Sequence, residues 1–347
     1  MRIAVYNLAA HEGGALVVLN QFFSDVIANQ DHHEWLFLTQ MPLQSTRQNV
    51  RVHRFDCSSI LNRIFADCYG VPQILKEYKP DVVISLQNST ILGFDGPQYV
   101  YMHQSLQYCP YRFSLTKKEE RGIAFRQRFI CGSYRNGLKK AKHIFVQTKW
   151  IQEATAKWIG RPVEDITVVP VTLSEGPADQ WSPSDESLFF YPARAEMYKN
   201  HNILIDACRK LGLSGYKVML TVDVNETEYG KQLKKASEGL PIEFVGTLSR
   251  EQVFKAYSKS VLVFPSYLET CGLPLVEAAQ VGCPIIAADL PYAHEALNDY
   301  SNVQYFKFDD SGALAEKMKS INRRSGTMNL KKTGTNLVEA MLECINS

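Results

Sequence analysis

Short apolar runs alternate with longer amphipathic ones along this chain, in the rhythm of strands followed by covering helices. In the first half, residues 3–6, 34–39, 82–85 and 99–103 read as buried strands and residues 15–29 as a helix. The polar stretch 174–185, Ser-Glu-Gly-Pro-Ala-Asp-Gln-Trp-Ser-Pro-Ser-Asp, has the composition of a linker. A second series follows: strands over 187–191, 217–222, 242–245, 261–264 and 285–287, helices over 202–211 and 250–257, and a last helical run over 335–345. Such alternation predicts parallel sheets covered by helices, an α/β chain of two Rossmann-like, doubly wound domains facing a central cleft. Ligands of such sheets bind at the carboxyl ends of the strands, so the loops there are where chemistry is sought.

At 347 residues the chain is long enough for two domains with separate cores, and 45% hydrophobic with 21% charged residues is ordinary for a globular protein. Eight cysteines show no C-x-x-C pair or zinc-like spacing, which argues for reduced, mostly buried thiols rather than a disulfide framework. Met1-Arg2-Ile3-Ala4-Val5-Tyr6 runs straight into strand-like sequence without a signal-peptide pattern, and no apolar run reaches membrane-spanning length. The expectation is a cytoplasmic chain, free to lie against the inner face of the plasma membrane.

The most informative segment is 265–283, Pro-Ser-Tyr-Leu-Glu-Thr-Cys-Gly-Leu-Pro-Leu-Val-Glu-Ala-Ala-Gln-Val-Gly-Cys. A strand over 261–264 should end at Pro265, and a helix should run over 275–281 with Pro274 near its first turn. Amides at Gly272 and Leu273 would then open toward an anion at the helix N-terminus, and Gly272 would admit a ligand close to the backbone. Glu277 could accept hydrogen bonds from ribose hydroxyls, and Glu269 from a group beyond the phosphates. Two solvated glutamates around a turn are the competing description of that spacing alone.

Three other places qualify. Gly13-Gly14 bares backbone between the first strand and helix, but is equally a plain tight turn and is not G-x-G-x-x-G. Residues 191–201 place Arg194 and Lys199 just past the first strand of the second series, a guanidinium and an ammonium suited to a diphosphate. His103 ends a first-domain strand, where a histidine is either structural or turned to a ligand. Asp289 is as readily a helix cap as a ligand contact.

Taken whole, Pro265, Ser266, Glu269, Gly272, Leu273, Pro274, Glu277 and Ala278 resemble the E-x7-E motif of the retaining nucleotide-sugar glycosyltransferases of family 4 (glycosyl transferases group 1), of the bacterial polysaccharide and O-antigen type. Cys271 stands where an aromatic residue is usual, and Val168-Val169-Pro170 continues as Val171-Thr172 rather than as the family's Pro-Asn-Gly. The resemblance is strong over 188–297 and weak over 1–172. It implies the GT-B fold: an acceptor-binding domain over 1–172, a nucleotide-sugar-binding domain over 173–329, and a C-terminal helix over about 330–347 packing back on the first domain. It implies donor contacts at Gly13, Gly14, Arg194, Lys199, Thr270, Cys271, Gly272, Leu273 and Glu277, and catalytic roles for His103, Glu269, Arg194 and Lys199.

The implied reaction moves a hexose or deoxyhexose from a UDP- or GDP-sugar to a hydroxyl of a glycan or lipid-linked saccharide. No cofactor is implied, and no Asp-x-Asp motif for a divalent ion is present. A GT-B nucleotide-sugar epimerase and a non-catalytic GT-B partner subunit remain as alternatives. Residues 112–142 hold ten Lys/Arg against Glu119 and Glu120, with Phe113, Phe125, Phe129 and Tyr134 among them. That stretch is either a solvated face or a surface for anionic lipid; nucleic acid is not expected, since no binding motif accompanies it.

Overall fold

The computed structural model describes residues 1–11, 13–29, 31–171, 180–183, 187–212, 215–328 and 336–347, so most of the linker-like stretch 174–185 lies outside the described residues. The chain divides into two compact units. Unit 1 comprises Met1–Gln107, Phe125–Thr172 and Thr333–Ser347; unit 2 comprises Tyr108–Ala124 and Leu173–Lys332.

Unit 1 is built from β1 (Arg2–Asn7), α1 (Gly13–Ala28), β2 (Glu34–Thr39), β3 (Val50–Arg54), α2 (Ile60–Phe65), α3 (Val71–Tyr78), β4 (Val82–Ser85), β5 (Gln98–Met102), the last residue of α4 (Arg121–Phe125, whose first four residues fall in unit 2), α5 (Cys131–Lys140), β6 (His143–Val146), α6 (Lys149–Ile159) and β7 (Ile166–Val168). The strands form one parallel sheet in the order β3-β2-β1-β4-β5-β6-β7. Its central strands read as unbroken apolar runs because both faces are covered. On one face Ile3, Val5, Trp35 and Phe37 pack under α1 through Leu19, Phe22, Phe23 and Val26. On the other, Ala4, Tyr6, Leu36 and Leu38 meet Ala66, Val71 and Leu75.

Unit 2 repeats the plan with β8 (Leu188–Tyr191), α7 (His201–Leu211), β9 (Lys217–Leu220), α8 (Glu228–Ala236), β10 (Ile242–Phe244), α9 (Arg250–Tyr257), β11 (Val261–Phe264), α10 (Leu273–Gln280), β12 (Ile285–Ala288), α11 (Pro291–Ala296), β13 (Val303–Phe306) and α12 (Ser311–Ser320). Its parallel sheet runs β10-β9-β8-β11-β12-β13. The chain ends in α13 (Leu337–Asn346), whose Val338, Met341 and Leu342 join the core beneath α1 in unit 1.

Two parallel, Rossmann-like α/β sheets are thus present, as the apolar rhythm predicts. Segments 34–39, 82–85, 250–257 and 261–264 coincide with elements, while the strand expected over 99–103 stops at Met102 and leaves His103 in a loop. The edge strands β3 and β13 and the short β6 were not anticipated.

Candidate functional site

Strand order reverses between β8 and β11 in unit 2, and in open α/β sheets such a reversal is where ligands bind. The loops beyond the carboxyl ends of these two strands carry Arg194 to Lys199 and Pro265 to Gly272. They are bound to each other. Tyr267 N donates to Tyr198 O (2.8 Å), and the Ser266 hydroxyl donates to the same carbonyl (3.2 Å). Asn200, in the left-handed region at φ 56°, sends its amide to Pro265 O (3.1 Å) and Phe308 O (3.0 Å). The buried Tyr191 hydroxyl donates to Lys199 O (2.8 Å) and that of Tyr292 to Ser266 O (2.7 Å), so main-chain positions on both loops are fixed from below.

This frame brings Lys199 against Glu269, with Nζ and Oε1 2.6 Å apart and both side chains mostly covered (17% and 14% exposed). Burial alone would lower the Lys199 pKa; the Glu269 carboxylate outweighs it, and the ammonium is held above its ordinary value. Among the described residues its two remaining protons meet no other acceptor. Beneath it His201 packs on Tyr191 with ring centroids 4.9 Å apart. Burial, then the Lys199 charge, pull that imidazole down to about 3, so it adds no charge. Arg194 is exposed and makes no ion pair among the described residues.

Gly272 caps α10 at φ +62°, and a Cβ there would stand 3.1 Å from Leu275 Cδ1 and 3.3 Å from Tyr292 Cδ2. Only glycine makes this turn without strain. α10 begins at Leu273, two residues before the expected start, with Pro274 in its first turn. Helix geometry leaves the amides of Gly272 and Leu273 without intrahelical acceptors, at the positive end of the dipole. Thr270 and Cys271 lie half-buried on the approach, and burial pushes the Cys271 thiol up to about 12, so it stays neutral.

One turn into α10, Glu277 is 24% exposed and faces Arg250 Nη2 at 3.8 Å. Burial raises its pKa, opposed by Arg250 and by the Tyr257 hydroxyl, which lies close by without a well-formed hydrogen bond. Arg250 and Tyr257 were not expected at the site. The Ser249-x-x-Gln252 capping box marks the start of α9 and so the position of Arg250, but pairing across helices carries no local signal. Asp289 is not a cap: Leu290 occupies that position, and Asp289 Oδ1 instead meets His294 Nε2 at 2.6 Å.

In unit 1 the order reverses between β1 and β4. Past β1, Gly13 opens α1 at φ +60°, and no atom lies within 4 Å of a Cβ built at Gly13 or Gly14. Leu8 and Ala9 N donate to Gln87 Oε1 (2.9 and 3.2 Å), joining this loop to the one after β4. His103 follows β5, and its Nε2 is 3.1 Å from Leu86 O. A carbonyl only accepts, so Nε2 carries the proton. Burial lowers the pKa of this ring, partly offset by the Leu86 bond; the neutral ring therefore offers Nδ1 as an acceptor. Gly13, Gly14 and His103 thus share the carboxyl edge of unit 1, and Arg194, Lys199, Glu269 to Leu273 and Glu277 share that of unit 2.

Residues 177–341 match the family model described as glycosyl transferases group 1. The O-antigen chain mannosyltransferase RfbU of Salmonella typhimurium is 23% identical over 243 residues, which is 69% of this chain and only 62% of that protein. Among solved structures, Anabaena HepE in complex with UDP-glucose has a TM-score of 0.64 at 18% identity, covering 92% of this chain and 89% of that one. Sucrose-phosphate synthase from Thermosynechococcus elongatus gives 0.63 at 17%, covering 92% and 88%. These likenesses establish the GT-B α/β fold with its two parallel-sheet, Rossmann-like domains. Over residues 177–341, just under half of its length and the part that carries Arg194, Lys199, Glu269 and Glu277, the chain is similar to the glycosyl transferases group 1 family.

Proposed function

We propose that this chain is a retaining, metal-independent glycosyltransferase of family 4. It moves a hexose or deoxyhexose from a UDP- or GDP-sugar to a hydroxyl of a glycan or lipid-linked saccharide in cell-surface polysaccharide synthesis of the lipopolysaccharide or O-antigen type. Unit 2 takes the donor and unit 1 the acceptor. The reading rests above all on one observation: Lys199 and Glu269 paired beside the open N-terminus of α10. That arrangement offers cationic and amide donors to a departing diphosphate. The UDP-glucose bound in HepE and the mannosyltransferase name of RfbU support a nucleotide-sugar donor.

In this mechanism Arg194 and Lys199 contact the diphosphate oxygens, as do the amides of Gly272 and Leu273. Thr270 and Cys271 line the donor, Glu277 accepts from the ribose hydroxyls, and Glu269 holds both Lys199 and a sugar hydroxyl. The bond from the anomeric carbon to the diphosphate breaks, its electron pair leaving with the phosphate oxygen. The acceptor oxygen bonds to the same face of that carbon and gives its proton to the departing phosphate. His103 orients a sugar hydroxyl through Nδ1, and the glycine pair lets the diphosphate and acceptor approach α1. The workplace is the inner face of the plasma membrane; among the described residues no helix is long and apolar enough to cross it.

The test is acceptor-dependent release of a nucleoside diphosphate from a panel of UDP-, GDP- and ADP-sugars, with the anomeric configuration of the product read by NMR. Retained configuration in EDTA is expected. Inversion, a need for added magnesium, or sugar release without acceptor would each overturn the corresponding part.

A further inference from the structure

Two connections between strands of the unit 1 sheet share a construction. Each begins as a short helix, widens into a single π turn and continues as a second helix: α2, Ala66–Gly70 and α3 in one, α4, Arg126–Ile130 and α5 in the other. Both carry an exposed aromatic pair across the junction, Phe65 with Tyr69 (centroids 5.7 Å apart) and Phe125 with Phe129 (5.0 Å). Ile60, Leu61 and Ile64 continue the first stripe at 80%, 77% and 52% exposure, and Ile130 continues the second. Scattered exposed apolar residues are ordinary, but contiguous stripes of this kind mark interaction surfaces.

Charge identifies the occupant. Residues 125–142 contain six Lys/Arg and no acidic residue, and Arg126, Arg128, Arg135, Lys139 and Lys140 are exposed. Rings interleaved with guanidinium groups match the headgroup level of an anionic bilayer, where aromatics settle and cations meet phosphates. A second copy of the chain would oppose this charge with its own. The two connections serve the same sheet, one between β3 and β4 and the other between β5 and β6. They also enter from the carboxyl ends of β3 and β5, the edge that holds the glycine loop and His103. From within the first stripe, Arg63 donates to Leu8 O (2.6 Å) and pairs with Asp67 (2.7 Å), tying α2 to the glycine loop.

We propose that unit 1 docks on an anionic lipid surface through the aromatic and aliphatic stripes at α2 and at the α4–α5 junction, with the arginines and lysines of 125–142 contacting the headgroups. The sequence points to 112–142 as a single basic surface; the structure divides it, because Tyr108–Ala124 cluster with unit 2. There Glu120 is buried, paired with Lys117 (3.0 Å) and accepting from Ser114 N (2.7 Å). The docking surface is therefore smaller toward residue 112 and extended by α2. It rests on the glycosyltransferase reading only for its purpose, which is to bring the acceptor edge to a lipid-linked saccharide.

Flotation with phosphatidylcholine vesicles, with and without one-third phosphatidylglycerol, tests it on the full chain. Wild type is expected to float only with the anionic vesicles. Arg126→Glu with Arg128→Glu should weaken partitioning by at least roughly fivefold per arginine. Phe65→Ser with Phe129→Ser should also abolish flotation, with melting temperature unchanged in both variants. Absence of wild-type flotation, or variants that float like wild type, would overturn the proposal. So would aromatic substitutions that leave flotation intact but split a dimer in sedimentation, which would make the stripes a self-association surface. Nucleotide-sugar turnover on a soluble acceptor is the separate readout: its failure alone sinks the enzymatic reading and leaves docking standing.

Discussion

The carboxyl edges of the two sheets come from one topology and have opposite characters. At the β8–β11 reversal of unit 2 the groups are ionic: Lys199 with Glu269, Arg250 with Glu277, and exposed Arg194. The edge at the β1–β4 reversal of unit 1 carries the exposed backbone of Gly13 and Gly14 and a neutral His103, and the ion pair there, Arg63 with Asp67, serves to hold the loop. Fold alone therefore does not assign chemistry; the side chains placed on it do. Ionic donors suit a departing diphosphate, and a neutral edge suits an uncharged hydroxyl.

That contrast can be broken most forcefully at Lys199. Lys199→Ala removes the charge that the proposed mechanism directs at the leaving group and should lower kcat by about 100- to 1,000-fold. It also strands Glu269, so melting should fall; Lys199→Arg should recover part of both. Near-wild-type turnover by the alanine variant would remove the ionic edge from the reaction. Glu277→Ala should reduce kcat/KM for the donor by roughly 10- to 100-fold, the scale of one lost charge-assisted hydrogen bond. A loss seen only with acceptor concentration would move Glu277 out of the donor half.

Glycines sharpen the comparison without touching charge. Gly272→Ala meets both a positive φ and crowding by Leu275 and Tyr292, and should cost about 1–3 kcal/mol of stability. Gly14→Ala has a free site and a permitted backbone, so melting should stay within about 0.5 kcal/mol of wild type while turnover falls. If both are equally destabilising, the unit 1 loop is structural and not a place of approach.

The smallest effect concerns pH. Glu120 is buried, which disfavours its charge, but Ser114 N, Lys117 and Tyr111 more than compensate and its pKa is lowered. A depressed carboxyl pKa contributes stability above its unfolded value of about 4.3, and that contribution is lost as pH falls through the folded value. Segment 108–124, where Tyr111 stacks on Tyr267 with centroids 4.9 Å apart, should therefore lose hydrogen-exchange protection, relative to an unstructured peptide at the same pH, below about pH 4, and Glu120→Gln should show the lost protection already at pH 7. Unchanged exchange in that variant would remove Glu120 as the anchor.

Much of the fold was legible because central parallel strands are buried on both faces and read as unbroken apolar runs, as in Val261–Phe264. β3 (Val-Arg-Val-His-Arg) and β13 lie at sheet edges with half-exposed, polar positions, and such strands carry no run to detect. The start of α10 was legible because Gly272 and Pro274 obey local rules of helix starts, whereas Glu269 and Glu277 stood out only through the resemblance of the whole segment to a known motif. The Lys199–Glu269 and Arg250–Glu277 pairs were not visible as pairs, since each joins residues on separate elements and depends on which strands become neighbours. The exposed stripe at α2 was missed for a related reason: apolar residues in a helix read as core until packing shows that nothing covers them.

Arg194 offers the most direct measurement, because it is exposed and its removal should leave the fold intact. Melting curves with UDP-, GDP- and ADP-sugars should show one donor raising the wild-type midpoint by roughly 5–10 °C at a hundredfold excess over its Kd. That rise should largely vanish in Arg194→Ala, whose own midpoint stays at the wild-type value. Stabilisation of the variant equal to wild type, or no stabilisation of wild type by any nucleotide sugar, would contradict a donor site on the edge of unit 2.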